Sequence, residues 1–124
     1  MTHTVVIADD DADIRQLVTI AVKKAGLTVA AVAADGAEAL EAIRTHHPDL
    51  AILDIAMPEM SGVDVCRAVR ADSSIGDVRI VLLSASVEEQ AIEVGINAGA
   101  DYFFMKPFSP RDLVAWLAVG KEAR

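Results

Sequence analysis

The side chains able to do chemistry sit immediately after apolar runs that read as buried strands. Asp9-Asp10-Asp11 follows Val5 to Ala8, Asp54 follows Leu50 to Leu53, Ser84-Ala85-Ser86 follows Arg79 to Leu83, and Lys106-Pro107 follows Tyr102 to Met105. If those runs are parallel, their carboxyl ends gather the carboxylates of Asp9, Asp10 and Asp54, the Ser84 hydroxyl and the Lys106 ammonium at one rim. Carboxylates held that closely repel, by about 4 kcal/mol for a pair at ~4 Å in an effective dielectric near 20. Protons or a cation must compensate. A hard, all-oxygen set without His or Cys selects Mg²⁺, or Mn²⁺, and such an ion bridges readily to phosphate oxygens. Lys106 and Ser84 would then face the oxygens of an incoming phosphoryl group. An aspartate can be the nucleophile in phosphoryl transfer. Asp54 is the best candidate, because it stands alone at a strand end with free backbone amides expected in Ile55-Ala56-Met57.

The elements that must position these residues are legible in the apolar pattern. Five β-type runs, the four above and Val29 to Ala33, are separated by helix-length segments. The first, third and fourth are nearly continuous in Val, Ile, Leu and Ala, as strands covered on both faces must be. Alternating strand and helix patterns predict stacked βαβ units: an α/β, doubly wound fold with a five-stranded parallel sheet and helices on both faces. In such sheets ligands bind outside the carboxyl ends, where neighbouring connections diverge, and the order 2-1-3-4-5 puts that crevice between strands one and three. Asp35-Gly36-Ala37-Glu38, Ser61-Gly62-Val63-Asp64, Ser86-Val87-Glu88-Glu89 and Ser109-Pro110-Arg111-Asp112 each place a capping oxygen three residues before an acid. Pro110 suits a first helical position. Ile14, Leu17, Val18, Ala21, Val22 and Ala25 form one stripe at the helical period before Gly26 closes that helix. Leu113, Trp116 and Leu117 repeat the pattern, with Trp116 read as packing.

The chain has 124 residues and a net charge of −8. It is read as a single domain, residues 1–124. Its acidity argues against direct nucleic-acid binding, for which basic patches are the usual footprint. Apolar runs stay short of the ~20 residues that a membrane helix requires, and the opening residues lack a signal-peptide pattern, so the expected location is cytoplasmic. The remaining candidates have plainer readings. Cys66 is expected as a small, half-buried core residue, Met57 and Met60 as gap-fillers, His46 and His47 as complements to a helix dipole, and His3 as a terminal surface residue.

Taken together, Val5-Val6-Ile7-Ala8-Asp9-Asp10-Asp11, Asp49-Leu50-Ala51-Ile52-Leu53-Asp54, Met57-Pro58-Glu59-Met60-Ser61-Gly62, Leu83-Ser84-Ala85, and Gly99-Ala100-Asp101 through Lys106-Pro107-Phe108 resemble the receiver domain of two-component response regulators. The likeness runs from Val5 to about Lys121. Members of that family are among the folds from which the 2-1-3-4-5 order is generalised, so topology and resemblance are not independent. The resemblance implies that Asp54 accepts phosphate from a histidine kinase or histidine phosphotransfer protein. It implies that Asp10, Asp54 and the Ala56 carbonyl bind Mg²⁺ directly, with Asp9 acting through water. Lys106 would pair with the phosphoryl group, Ser84 would move toward it, and Ala85 would leave room and offer an amide. The Lys106–Pro107 bond would be cis. Phe103, three residues before Lys106, would be the switch aromatic, in place of the more frequent tyrosine. Ala56 carries no polar side chain to orient or repel an attacking water, which bears on the lifetime of the phosphorylated form and not on its formation.

Such a domain would catalyse only its own phosphorylation and autodephosphorylation. It would signal through the helix 4, strand 5 and helix 5 face, where Glu88, Glu89, Glu93, Arg111 and Asp112 lie, to an effector the sequence does not specify, with homodimerisation on phosphorylation as a further expectation. Three alternatives stay open on the residues alone. An aspartyl-nucleophile hydrolase generally carries a second aspartate two residues after the first, where this chain has Ala56. A receiver that works unphosphorylated need not keep Asp10, Asp54, Ser84 and Lys106. A flavin or nucleotide module would need a glycine-rich loop after the first strand, which is missing.

Overall fold

The computed structural model describes residues 3–85 and 89–122. Along the chain run β1 (Thr4–Ala8), α1 (Ala12–Lys24), β2 (Thr28–Ala33), α2 (Gly36–His46), β3 (Leu50–Asp54), α3 (Gly62–Ala71), β4 (Arg79–Ser84), α4 (Glu89–Asn97), β5 (Tyr102–Met105) and α5 (Pro110–Glu122). The strands form one sheet in the order β2-β1-β3-β4-β5, and every neighbouring pair is parallel. The predicted fold class and order are those observed. A register shift between Val5 and Val6 against β2, which the sequence pattern does not announce, lets Val6 pair with Ala31 where Val5 pairs with Val29.

Continuous apolar strands make sense because successive residues feed two different cores. Val6, Ala8, Ala51, Leu53, Ile80 and Leu82 point to one side and pack with Ala39, Leu40 and Ile43 of α2 and Val63, Val65, Cys66 and Val69 of α3. Val5, Ile7, Leu50, Ile52, Val81 and Leu83 point to the other side, under Val18, Ala21 and Val22 of α1 and Leu113 and Leu117 of α5. Met57 and Met60 pack on the first core, as gap-fillers should. Trp116 lies against the second core, stacked on Tyr102 with ring centroids 4.9 Å apart.

The helix ends follow from local chemistry. Asp11 caps α1, its side chain accepting from the Asp13 and Ile14 amides. Past α1, Gly26 adopts φ 83°, and the Leu27 and Gly26 amides donate to the Val22 and Lys23 carbonyls, the closure a left-handed glycine permits. Ser61 and Asp64 form a reciprocal capping box on α3. Asp35 accepts from the Glu38 amide, and Ser109 from the Asp112 amide ahead of α5. The expected cap at Ser86 lies outside the described residues.

Four expectations need correction. Leu17 is 41% exposed, because the apolar stripe of α1 is wider than the surface its neighbours cover. Cys66 is fully and not half buried, with its thiol donating to the Ala98 carbonyl. His3 is no free surface residue, since its ring lies 3.8 Å from the Asp49 carboxylate, which also accepts from the Thr4 amide. The Ile55 amide is not free, because it donates to the Leu83 carbonyl and extends the β3 ladder past Asp54.

Candidate functional site

At the carboxyl end of β1, Asp9 is fully buried. Its Oδ1 accepts from the Asp11 amide (2.9 Å), its amide donates to the Ala33 carbonyl, and its carbonyl accepts from the Arg15 guanidinium (2.7 Å). Sequence reasoning missed Arg15. An arginine one turn into a helix is an ordinary surface residue until the fold bends it back over the strand end.

Asp54 closes β3 and is 4% exposed. The loop after it is held by backbone against backbone: the Gly62 amide donates to the Ile55 carbonyl (2.9 Å) and the Gly36 amide to the Pro58 carbonyl (3.3 Å). A side chain at Gly62 would overlap the Asp54 carbonyl, and one at Gly36 would overlap that of Met60. Both glycines therefore let helix starts approach the loop that carries Asp54 and Ala56. Ser84 closes β4 with 4% exposure. Its carbonyl accepts from the Lys106 amide (2.7 Å), so strand pairing continues beyond β5 and delivers Lys106 to the rim. The Lys106–Pro107 peptide is cis.

The side chains meet as the apolar pattern requires. Lys106 Nζ stands 2.9 Å from Asp9 Oδ2 and 3.1 Å from Asp54 Oδ1. Oxygens of Asp9, Asp10 and Asp54 lie within 4.8 Å of one another, and Asp10 alone of the three is exposed. Asp10, Asp11, Asp54, Ile55, Ala56, Ser84, Ala85 and Lys106 line a cleft of about 380 Å³. Burial pushes the Asp54 carboxyl up to about 6, with donation from Lys106 pulling it down and the charge of Asp9 pushing it up again. Burial works against the Lys106 ammonium, but pairing with Asp9 and Asp54 holds it above its usual range.

Among the described residues, one ammonium stands between the carboxylates of this three-aspartate cluster, with the Arg15 guanidinium behind them at the Asp9 carbonyl. Asp9 Oδ2 has the ammonium as an ionic neighbour but accepts no aligned hydrogen bond. An all-oxygen cluster with a buried, under-satisfied carboxylate and an exposed one at its mouth fits a hard divalent cation. His46 and His47, at the far end of α2, have no part in it; His47 caps that helix in the left-handed conformation at φ 46°.

Phe103 pairs with Leu82 and packs on the α2 and α3 side of the sheet, with its ring tip beside Gly95 of α4. Tyr102 and Phe104 turn to the opposite face, each within ring-contact distance of Trp116. Phe103 and Tyr102 therefore lie on opposite faces of the sheet, as the alternation of side chains along a strand requires. At the other end of the sheet lies a second polar network that sequence reasoning missed. Arg70 of α3 donates to the Val78 carbonyl (2.6 Å), the Gly99 carbonyl (3.0 Å) and Asp101 Oδ2 (2.9 Å), while the same Asp101 oxygen accepts from the Ile80 amide (2.8 Å).

Residues 5–118 match the family described as the response regulator receiver domain. The DNA-binding response regulator MtrA of Mycolicibacterium paratuberculosis is 42% identical over 115 residues, covering 93% of this chain and 49% of that protein. The transcriptional regulatory protein CseB of Streptomyces avermitilis is 39% identical over 114 residues, 92% of this chain and 46% of that protein. The chain thus spans about half the length of the curated relatives it matches. Among solved structures, the signal receiver domain of NarL from Mycobacterium tuberculosis superposes with a TM-score of 0.90 at 34% identity, covering 99% of this chain and 98% of that one. The chemotaxis protein CheY4 of Vibrio cholerae gives 0.86 at 33% identity, covering 94% and 97%. The sequence match, the strand order and these structural neighbours agree that the chain belongs to the receiver-domain family of two-component response regulators.

Proposed function

We propose that Asp54 is the phosphoacceptor of this receiver domain, taking a phosphoryl group from a histidine kinase or histidine phosphotransfer protein in a Mg²⁺-dependent reaction. The observation that carries the reading is the bridge of Lys106 Nζ to Asp9 Oδ2 and Asp54 Oδ1, at 2.9 and 3.1 Å, beside a cleft open to solvent. Mg²⁺, or Mn²⁺, would be held by Asp10, Asp54 and the Ala56 carbonyl, with Asp9 behind them, and would supply charge neutralisation and orientation for the phosphoryl oxygens. In the transfer an Asp54 carboxylate oxygen forms the new P–O bond. The P–N bond to the donor imidazole breaks, and its electron pair stays on the imidazole nitrogen. With its carboxyl at about 6, Asp54 is mostly ionised at pH 7 and able to attack. Lys106 is already charged and within reach, so the new dianion meets a donor that need not be recruited.

Ser84 and the Ala85 amide are read as the groups that receive the phosphoryl oxygens, and Phe103 as the aromatic that answers them. A dianion that bonds Ser84 better in one loop arrangement shifts the population toward it; a swing from 1:99 to 99:1 takes about 5.5 kcal/mol. The α4, β5 and α5 face then changes for a downstream partner or a second copy. DNA binding is named for the longer relatives; this acidic domain is read as leaving it to other parts of such proteins and as acting in the cytoplasm. No helix among the described residues is long and apolar enough to cross a membrane.

The test is incubation with a small phosphodonor and Mg²⁺, read by intact mass for wild type, Asp54→Asn and Lys106→Ala. Metal-dependent gain of one acid-stable, base-labile phosphoryl group, lost in Asp54→Asn, supports the reading. Rapid turnover of unrelated phosphoesters would favour a hydrolase, and an unchanged wild-type mass would favour a module that works unphosphorylated.

A further inference from the structure

The turn from β1 into α1 is pinned at each end. The Asp9 amide donates to the Ala33 carbonyl, Asp9 Oδ1 accepts from the Asp11 amide, and the Asp11 carbonyl accepts from the Arg15 amide. The peptide that joins Asp9 to Asp10 is held by a side chain: its carbonyl oxygen accepts from the Arg15 guanidinium at 2.7 Å. Because a peptide unit is planar, the direction of the Asp9 carbonyl also sets the Asp10 amide and Cα, the base from which the Asp10 carboxylate reaches the acidic cluster. Asp10 is the exposed member of that cluster, so packing does not fix it. Helix side chains lean toward the helix N-terminus, which aims Arg15, one turn into α1, at the end of β1. A cation so near that terminus opposes the helix dipole, so helix stability does not ask for it.

We propose that Arg15 is the positioning residue of the cation site: its donation to the Asp9 carbonyl fixes the Asp9–Asp10 peptide and pre-organises the Asp10 carboxylate for a divalent ion. The inference rests on the reading of Asp9, Asp10 and Asp54 as that site. Charge alone would have the opposite effect. A guanidinium behind the carboxylates repels an incoming cation, so if it acted only through its field, removing it would tighten binding. If it fixes a ligand, removing it loosens binding. Loss of a group that orients a metal ligand weakens affinity about 10- to 100-fold.

The experiment titrates wild type, Arg15→Met and Arg15→Lys with Mn²⁺ alone, at fixed ionic strength and without phosphodonor, and reads the free ion by EPR. Arg15→Met, which keeps the aliphatic stem and loses donor and charge, should bind about tenfold more weakly or worse. Arg15→Lys keeps a charge and a donor one bond shorter; because the donation at stake is a single one, it should recover most of the loss. Circular dichroism checks that each variant is folded, and Arg15→Gln, neutral and two bonds shorter, replaces the methionine variant if that one is not. Affinity in Arg15→Met that is unchanged or tighter overturns the proposal, as does a loss that lysine leaves unrelieved. Absence of Mn²⁺ uptake by wild type overturns the cation site itself and the proposal with it. A wild-type protein that binds Mn²⁺ with this dependence on Arg15 but takes no phosphoryl group on Asp54 would overturn the phosphoacceptor reading and support the role of Arg15.

Discussion

Replacing Lys106 with methionine keeps most of the side chain's bulk and removes the ammonium placed between Asp9 and Asp54. At 2.9 and 3.1 Å each attraction is about 5–6 kcal/mol gross in an effective dielectric near 20. Breaking a buried pair leaves a net loss of about 3–5 kcal/mol. The stranded carboxylates have one escape, which is to take up a proton. From an ordinary value near 4 this costs about 1.4 kcal/mol per pH unit, so it limits the loss to about 3 kcal/mol at pH 6 and leaves it near 5 kcal/mol at pH 8. The sign follows from linkage. A carboxyl whose value is raised in the folded state lends stability that is fully present below its unfolded value and lost as pH rises through the folded one. For Asp54 in the wild type that window runs from 3.8 to about 6. Without Lys106 it moves higher, so the difference between variant and wild type should widen from pH 6 to pH 8. Urea unfolding in EDTA at the two pH values, followed by circular dichroism, measures it, and added Mg²⁺ should recover part of the loss by supplying the missing positive charge. A pH-independent loss below about 1 kcal/mol would refute the reasoning, since a mere packing change has no such slope.

Three further outcomes are expected. Gly62→Ala forces a methyl onto the Asp54 carbonyl, 3.0 Å from Asp54 C and 3.2 Å from Ile55 Cα; because those are backbone atoms, the cost should be about 1–3 kcal/mol in urea, with slower uptake from a small phosphodonor, and full wild-type rates would contradict it. Arg70→Met removes three donations at the opposite end of the sheet and should lose about 2–3 kcal/mol with phosphoryl uptake unchanged, as paired denaturation and mass measurements would show. Burial pushes the Cys66 thiol above its usual range, so it should resist a disulfide reagent in the native state and react fully in urea; rapid native labelling would mean that α3 opens easily.

What could be read in advance was whatever depends on periodicity and chain order. Continuous runs such as Ala51-Ile52-Leu53 require cover on both faces, parallel strands put their carboxyl ends at one rim, and so the approach of Lys106 to Asp54 followed from residues 52 positions apart in the chain. Boundaries moved by a single residue, with Asp54 and Ser84 falling inside their strands. Contacts between long side chains and distant carbonyls were not legible: Arg15 over the Asp9 carbonyl and Arg70 over Val78 and Gly99 carry no local signal, because an arginine reads the same whether it points to water or folds back. The exposure of Leu17 and the room that Gly95 leaves for Phe103 depend on how far neighbouring elements reach, which helical period alone does not give.

The account is tested most directly by locating the phosphoryl group after treatment with phosphoramidate, whose P–N bond resembles that of phosphohistidine, in Mg²⁺ and in EDTA. Peptide mapping should place one group on the segment containing Asp54, in Mg²⁺ only. Modification elsewhere, or at the same rate in EDTA, would contradict it.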